Sequence, residues 1–253
     1  MRGGRRWRRA WKARGFFLVI TLIISLRVDA ACLDPSALAH TTVSITRFFD
    51  DEERKSENGL AGIRGSGWFL SPTQMVTVDH VATAMRLSTD IWRSLEISDA
   101  ETTQTISARI QRIAGTGSEK IAVLELKTAF PGAVSVHGRM APLLPEEPVM
   151  SIAASNTKSR SVGGRFVEYG TADRVAGAAL LEMHEGDDRL ALDHGASGAP
   201  VFDCEGRVVA VVSNVFTQTI RFPSKTIRVS TAWGQPNVVS IPIQQLSESA
   251  EAQ

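Results

Sequence analysis

The spacing of short β-rich runs is the feature that most constrains the fold of this chain. From residue 37 onward, runs rich in Val, Ile, Thr and Phe alternate with turns rich in Gly, Pro, Asp and Ser. Many short strands with frequent turns are typical of a β-barrel or β-sandwich, and they argue against alternating βαβ units. A short helix is predicted over Val81–Ser88, and the charged segment Asp50–Glu57 is predicted to be a solvated turn. The predicted strands are Thr42–Phe48, Gly67–Leu70, Met75–Val78, Thr105–Ile113, Ile121–Lys127, Val149–Ala153, Arg165–Glu168, Leu190–Leu192, Pro200–Phe202, Arg207–Val212, Thr226–Val229 and Val238–Ile241.

The distribution of charge excludes one class of function. Eight of the 28 basic residues lie in the first 30 positions, together with one of the 27 acidic residues. The remaining chain therefore has 20 basic and 26 acidic residues and is net acidic. A folded domain that binds nucleic acid usually presents a basic surface, so no nucleic-acid partner is expected.

The N-terminal segment has the layout of a secretory signal peptide. Basic residues up to Arg14 are followed by the apolar run Phe16–Leu26 and then by small residues around Ala30. This order predicts that residues 1–30 are removed by cleavage after Ala30, and that the protein is periplasmic or secreted. The apolar run is much shorter than the ~20 residues that a membrane-spanning helix needs, so no stable membrane span is expected after cleavage. A lipoprotein signal ending before Cys32 is the alternative, although Asp29 stands where such signals usually have leucine.

The two cysteines, Cys32 and Cys204, fit an oxidising compartment. A structural metal site needs more ligands than one pair of thiols, and no Cys-x-x-Cys spacing is present, so no metal is expected. The pair could form a disulfide between the N-terminal segment and the second half of the chain. Two unpaired thiols are the alternative that the sequence leaves open.

Ser197 is the first candidate catalytic residue. It lies between Gly195 and Gly198, just before a predicted strand. Glycine allows a sharp turn and a close approach of a substrate carbonyl. The amides of Gly195 and Ser197 could then point into one small space and stabilise an oxyanion. A serine in a glycine-rich turn is a weak signal when it stands alone.

His80 is the second candidate, and it follows a predicted strand in the stretch GSGWFLSPTQMVTVDHV. A serine hydroxyl is inert near neutral pH unless a base takes its proton, and histidine is the usual base. His80 is distant from Ser197 in the sequence, so only a fold that unites two halves of the chain could pair them. Taken alone, His80 would be interpreted as a structural histidine.

The chain resembles the trypsin-like serine peptidases of chymotrypsin fold, and most closely the bacterial HtrA-type protease domain without a PDZ domain. The similar stretches are GSGWFLSPTQMVTVDHV, KIAVLEL, EEPVMSIAAS, GASGAPVFDCEGRVVAVVSN and NVVSIPI, in the order of the family. The resemblance implies an all-β fold of two six-stranded antiparallel β-barrels with the active site in the cleft between them. It implies a peptidase domain over 31–253, with the first barrel at about 37–130 and the second at about 140–245.

The resemblance also implies roles for particular residues. His80 would be the general base and Ser197 the nucleophile, with the amides of Gly195 and Ser197 as oxyanion donors. The substrate would lie along Ser213, Asn214 and Val215, and Ala191 would form the base of the first specificity pocket.

One position departs from the family pattern. Lys120 stands where the family has the aspartate that orients the histidine. Glu119 is the adjacent acid, but a slip of one residue along a strand points a side chain to the opposite face unless a bulge intervenes. Glu119 is therefore a candidate third residue, with Asp90, Asp99 or no acid as the alternatives.

The sequence thus predicts an exported serine endopeptidase that acts on a polypeptide substrate and needs no cofactor. The alternative is an inactive member of the same family that binds peptides or partner proteins through the same cleft. Lys120 favours this alternative, whereas His80, Ser197 and the flanking glycines favour the enzyme.

Overall fold

The structure is a computed structural model that describes residues 32–154, 159–172, 175–184, 192, 195–215, 217–221, 226–230 and 234–248. Both β-barrels described below belong to one compact unit. No helix of the described residues is long and apolar enough to cross a membrane.

The first barrel is a closed antiparallel sheet of six strands in the order β1-β2-β3-β6-β5-β4. Its interior is filled by large side chains with almost no exposed surface, among them Trp68, Phe69 and Leu124. A short helix, α1 (Asp51–Ser56), connects the first two strands, and α2 (Asp79–Ala84) follows the third. The strands are β1 (Thr42–Phe48), β2 (Gly62–Ser71), β3 (Gln74–Val78), β4 (Arg93–Ser98), β5 (Thr103–Ala114) and β6 (Ile121–Leu126).

The second barrel is also closed, with the strand order β10-β11-β14-β9-β8-β7. A separate two-stranded sheet, β12 with β13, is inserted between β11 and β14, and the short helix α3 (Gln245–Glu248) follows the last strand. The predicted fold class, two six-stranded antiparallel β-barrels, is confirmed. The strands are β7 (Pro148–Ala154), β8 (Ser159–Ala172), β9 (Val175–His184), β10 (Pro200–Phe202), β11 (Val208–Val215), β12 (Thr217–Arg221), β13 (Thr226–Ser230) and β14 (Val238–Pro242).

The prediction of a solvated turn over Asp50–Glu57 is wrong, because this segment contains the helix α1. The Asp50 side chain accepts a hydrogen bond from the Glu53 amide, and the Glu53 side chain accepts one from the Asp50 amide. This reciprocal capping satisfies two amides that would otherwise lack partners at a helix start. Glu53 is also buried against Arg47, with 2.6 Å between the charged groups.

The N-terminal end of the described chain is attached to the second barrel. Cys32 and Cys204 form a disulfide with 4.1 Å between their Cα atoms. The Leu33 amide donates a 3.0 Å hydrogen bond to the Cys204 carbonyl. A 3₁₀ helix, Pro35–Leu38, follows and places the buried Leu38 in the core.

Candidate active site

His80 lies at the start of α2 with its ring beside the Glu119 carboxylate. Nδ1 of His80 is 2.9 Å from Oε2 of Glu119, which is hydrogen-bond distance. The His80 side chain is 40% exposed and that of Glu119 is 17% exposed, so the ring faces the solvent while the acid lies behind it. The two residues that the sequence proposed as base and orienting acid are therefore in contact.

The backbone explains why Glu119 reaches His80. Strand β3 pairs with β6 in a register that sets Val78 opposite Ile121, and one residue further the Asp79 amide donates a 2.8 Å hydrogen bond to the Lys120 carbonyl. Strand β6 begins only at Ile121. Glu119 therefore precedes the strand on irregular backbone, where the alternation of faces along a strand does not apply.

The other acids considered from the sequence bind elsewhere. Asp99 accepts hydrogen bonds from the amides of Glu101 and Thr102, at 2.8 Å and 2.6 Å, and closes its own turn. Asp90 accepts from the hydroxyl of its neighbour Thr89. Glu119 is thus the carboxylate that the structure brings to His80.

Ser197 lies in a turn formed by residues 195–198, called here the Ser197 turn. Gly195 and Gly198 have φ of 102° and 93°, in the left-handed region that glycine adopts at little cost. A Cβ atom at Gly198 would lie 2.1 Å from the carbonyl oxygen of Ser66 and 2.3 Å from Oγ1 of Thr77. Glycine is required at this position for two independent reasons, the backbone angle and the lack of space.

The Ser197 turn belongs to the second half of the chain but rests on β2 of the first barrel. The Ser66 amide donates to the Ser197 carbonyl at 2.8 Å, and the Ser66 hydroxyl donates to the Gly195 carbonyl at 2.6 Å. Thr77 in turn donates to the Ser66 carbonyl at 2.8 Å. These contacts hold the candidate nucleophile against the barrel that contains His80.

The amides of Gly195 and Ser197 are available to a ligand. Within the described part of the chain, neither N–H donates a hydrogen bond to a protein acceptor. In contrast, the next amide, that of Gly198, donates to the Val212 carbonyl at 2.8 Å. An oxyanion hole needs two such donors beside the nucleophile, and these two amides are unpaired within the described residues.

The Ser197 hydroxyl donates a 3.0 Å hydrogen bond to the carbonyl of Ser213. Ser213 is buried on β11, and Asn214 beside it is exposed. The register between β11 and β14 shifts between Val212 and Asn214, which marks an irregularity at this point of the strand. The segment proposed to bind substrate therefore runs directly past the candidate nucleophile.

Two of the predicted site residues lie wholly or partly outside the described structure. Ala191 lies outside the described residues, and Val215 is described only as part of the backbone of β11. The sequence reasoning did not single out Ser66 and Thr77, which support the Ser197 turn. Ser66 stands in the Gly65-Ser66-Gly67 motif, but its contact with Gly195 joins parts of the chain that are distant in sequence, which no local pattern shows.

Among the described residues, no group of three His, Cys, Asp or Glu side chains is arranged to hold a metal ion.

Two barrels with a serine, a histidine and a carboxylate in these positions are typical of the serine peptidases of chymotrypsin fold. A family model described as the trypsin-like peptidase domain matches residues 65–211, which is more than half of the chain. The chain therefore belongs to the trypsin-like peptidase family, and it is a serine peptidase by class.

Solved structures agree on the fold. The Rv3671c protease from M. tuberculosis in its active form is 14% identical, with a TM-score of 0.56 over 86% of this chain and 82% of that chain. The inactive form of the Rv3671c protease is 13% identical, with a TM-score of 0.54 over 86% and 90% of the two chains. Deg5 is 15% identical, with a TM-score of 0.54 over 83% and 87%. No curated protein sequence matches the chain.

Proposed function

We propose that this protein is an exported serine endopeptidase in which Ser197 is the nucleophile, His80 the general base and Glu119 the acid that orients the histidine. The observation that supports this most is the 2.9 Å contact between Nδ1 of His80 and Oε2 of Glu119. When the Nδ1–H group of His80 donates a hydrogen bond to Glu119, the other ring nitrogen, Nε2, carries no proton and acts as the base.

The chemistry then follows in two steps. The Ser197 oxygen bonds to the substrate carbonyl carbon while Nε2 of His80 takes its proton, and the carbonyl oxygen becomes an oxyanion at the amides of Gly195 and Ser197. The C–N bond breaks, and the imidazolium gives its proton to the leaving amine. A water molecule, deprotonated by His80, then hydrolyses the acyl-enzyme and restores Ser197.

The substrate would bind as an added strand. Backbone groups of the segment Ser213–Val215 would pair with the peptide residues before the scissile bond. For attack, the Ser197 hydroxyl has to leave the Ser213 carbonyl and donate instead to Nε2 of His80.

The alternative is a peptide-binding protein that does not cleave. One observation favours it: the Ser197 hydroxyl donates to Ser213 and not to His80. Catalytic hydrogen bonds are often formed only when substrate binds, so this contact alone does not exclude catalysis.

A fluorophosphonate probe separates the two functions, because it labels only a serine that a base activates. We expect wild-type protein to be labelled and to cleave casein, whereas Ser197→Ala and His80→Ala should do neither and should unfold at nearly the wild-type temperature. Thr89→Ala, an exposed hydroxyl away from the site, is the control. Casein cleavage by Ser197→Ala would contradict the assignment, and a folded wild type that is never labelled would favour the binding protein.

Export is proposed on the order of basic, apolar and small residues before Ala31. The Cys32–Cys204 disulfide supports it, since disulfides persist mainly in oxidising compartments. The mass of the purified mature protein should correspond to a chain that begins at Ala31. A retained Met1 or a lipid on Cys32 would contradict this proposal.

A further inference from the structure

Arg64 is an exposed residue of β2 beside the Ser197 turn. Its Cδ atom is 3.9 Å from the point where a Cβ of Gly195 would lie. Its Nε donates a 3.2 Å hydrogen bond to Oγ1 of Thr46 on the neighbouring strand. The stem of Arg64 therefore lies against the residue whose amide is a proposed oxyanion donor.

The position of Arg64 relative to a bound peptide follows from the strands that contact the Ser197 turn, which are β11 and β2. The Ser197 hydroxyl faces Ser213 on β11, whereas the carbonyls of Gly195 and Ser197 both face Ser66 on β2. Arg64 and Ser66 lie on the same face of β2, because successive residues alternate. If peptide residues before the scissile bond follow β11, the residues after it leave past β2 and Arg64.

The charge of Arg64 has no carboxylate partner within the described part of the chain. Of the other described arginines, Arg93 and Arg112 likewise form no ion pair with a described carboxylate, whereas seven do so at 4.0 Å or less: Arg47, Arg54, Arg86, Arg109, Arg139, Arg165 and Arg207. A guanidinium group matches a carboxylate with two parallel hydrogen bonds. An unneutralised guanidinium beside the leaving side of the scissile bond is thus placed to bind an anionic group of the substrate.

We propose that Arg64 is a specificity-determining residue that binds a carboxylate within the first two residues after the scissile bond. The inference rests on the proposed peptidase function and adds the class of substrate. The carboxylate could belong to an Asp or Glu side chain or to the C-terminus of the substrate, and the chemistry of recognition is the same for both.

The test is digestion of a peptide library of mixed sequence, followed by mass-spectrometric identification of the cut sites. We expect wild-type protein to favour Asp or Glu at the first or second position after the cut, by roughly twofold to fivefold in kcat/KM over Asn or Gln. Arg64→Gln should lose this preference, and Arg64→Glu should favour Lys or Arg there. Arg109→Gln, which removes an arginine paired with Glu125 on the outside of the first barrel, should keep the wild-type preference.

Two further experiments distinguish a side-chain carboxylate from a C-terminal one and test whether the contact with Arg64 is an ion pair. Peptides that end two residues after the cut, with a free or an amidated C-terminus, show whether a terminal carboxylate is sufficient. The preference should weaken as salt rises, because an exposed ion pair is screened. Cleavage without any preference for acidic residues, or a preference unchanged in Arg64→Gln, overturns the inference about Arg64 but leaves the proposed peptidase function in place. Absence of both cleavage and fluorophosphonate labelling in the wild type overturns the proposed function and the inference with it.

Discussion

Glu119 contacts His80 from a segment that belongs to no strand, and its length matters there. Glutamate has one methylene more than aspartate, so its carboxylate can reach the ring from a backbone position that differs from the family's by one residue. Lys120 could not replace it, because an ammonium group has no acceptor and would oppose the positive imidazolium.

Replacing Glu119 with Gln tests this role most directly. The variant keeps the shape but removes the charge that stabilises the imidazolium, so kcat should fall by about 10²–10⁴ while KM changes little. Steady-state kinetics on a peptide substrate is the measurement. Glu96→Gln, a half-buried glutamate on β4, is the control and should be near wild type. Equal activity of wild type and Glu119→Gln would leave a Ser–His dyad as the working assignment.

Gly198 should tolerate no side chain. Alanine there would adopt φ near 93° and would bring its Cβ against the Ser66 carbonyl, so the free energy of unfolding should fall by about 3 kcal/mol and probe labelling should be lost. Urea unfolding measures the first effect. The matched control is Gly163→Ala on β8, where a Cβ meets nothing within 4 Å. A Gly198→Ala protein as stable as the control would show that the turn adapts.

At the scale of elements, strand prediction succeeded where buried β-branched residues stand between turn residues, as in β3 and β14. It missed β9, because VAGAALLEMH is rich in Ala and Leu, which favour helices, and the strand forms through its pairing with β8 and β14. It also missed β4 and β12. The helix predicted over Val81–Ser88 begins earlier and ends at Ala84. The predicted strand Leu190–Leu192 lies almost wholly outside the described residues.

The candidate site could also be predicted only in part, because local motifs mark some of its residues and contacts distant in sequence select the others. His80 and Ser197 stand in motifs that mark them individually. The choice of Glu119 was not decided by sequence, because it depends on where β6 begins. Ser66 and Arg64 depend on a contact between β2 and the Ser197 turn that no local pattern records.

The turn between β10 and β11 depends on a buried carboxylate. Asp203, with a side chain 1% exposed, accepts hydrogen bonds from the amides of Glu205 and Arg207 at 3.1 Å and 2.9 Å. Burial acts most strongly, in the direction of a higher pKa, but the hydrogen bonds and charge of Arg207, with Arg139, outweigh it and leave the pKa of Asp203 below its ordinary value of 3.8. The charged form is therefore favoured by folding.

A lowered carboxylate pKa predicts a specific dependence of stability on pH. The contribution of Asp203 should be complete above its unfolded pKa, near 3.8, and should be lost as the pH falls through the lower folded value. Asp203→Asn should be less stable than wild type by about 2–4 kcal/mol at neutral pH, and the difference should shrink in acid. Urea unfolding of both proteins from pH 7 to pH 2 measures this. A difference that stays constant over that range would contradict the assigned pKa direction.

At the scale of the whole molecule, one covalent bond closes most of the chain into a loop. Cys32 and Cys204 are 172 residues apart, and a loop of that length restricts the unfolded chain by up to about 5 kcal/mol in the chain-entropy account. The double variant Cys32→Ser/Cys204→Ser should therefore unfold at lower urea, by about 2–5 kcal/mol, and the reduced wild type should match it. Peptide mapping without reductant checks the bond itself. Equal stability of oxidised and reduced protein would show that the bond contributes nothing.

The hydrogen bonds from Ser66 to the Ser197 turn make nucleophile formation dependent on the docking of one barrel on the other. If the Cys32→Ser/Cys204→Ser variant, in which no disulfide joins the two halves, is divided in the segment between β6 and β7, the C-terminal fragment contains Ser197 but neither its supporting serine nor its base. Each fragment alone should be unreactive, and mixing them should restore probe labelling only as they associate. Fluorophosphonate labelling would then act as a complementation assay, in which the yield of labelled serine counts the reassembled molecules.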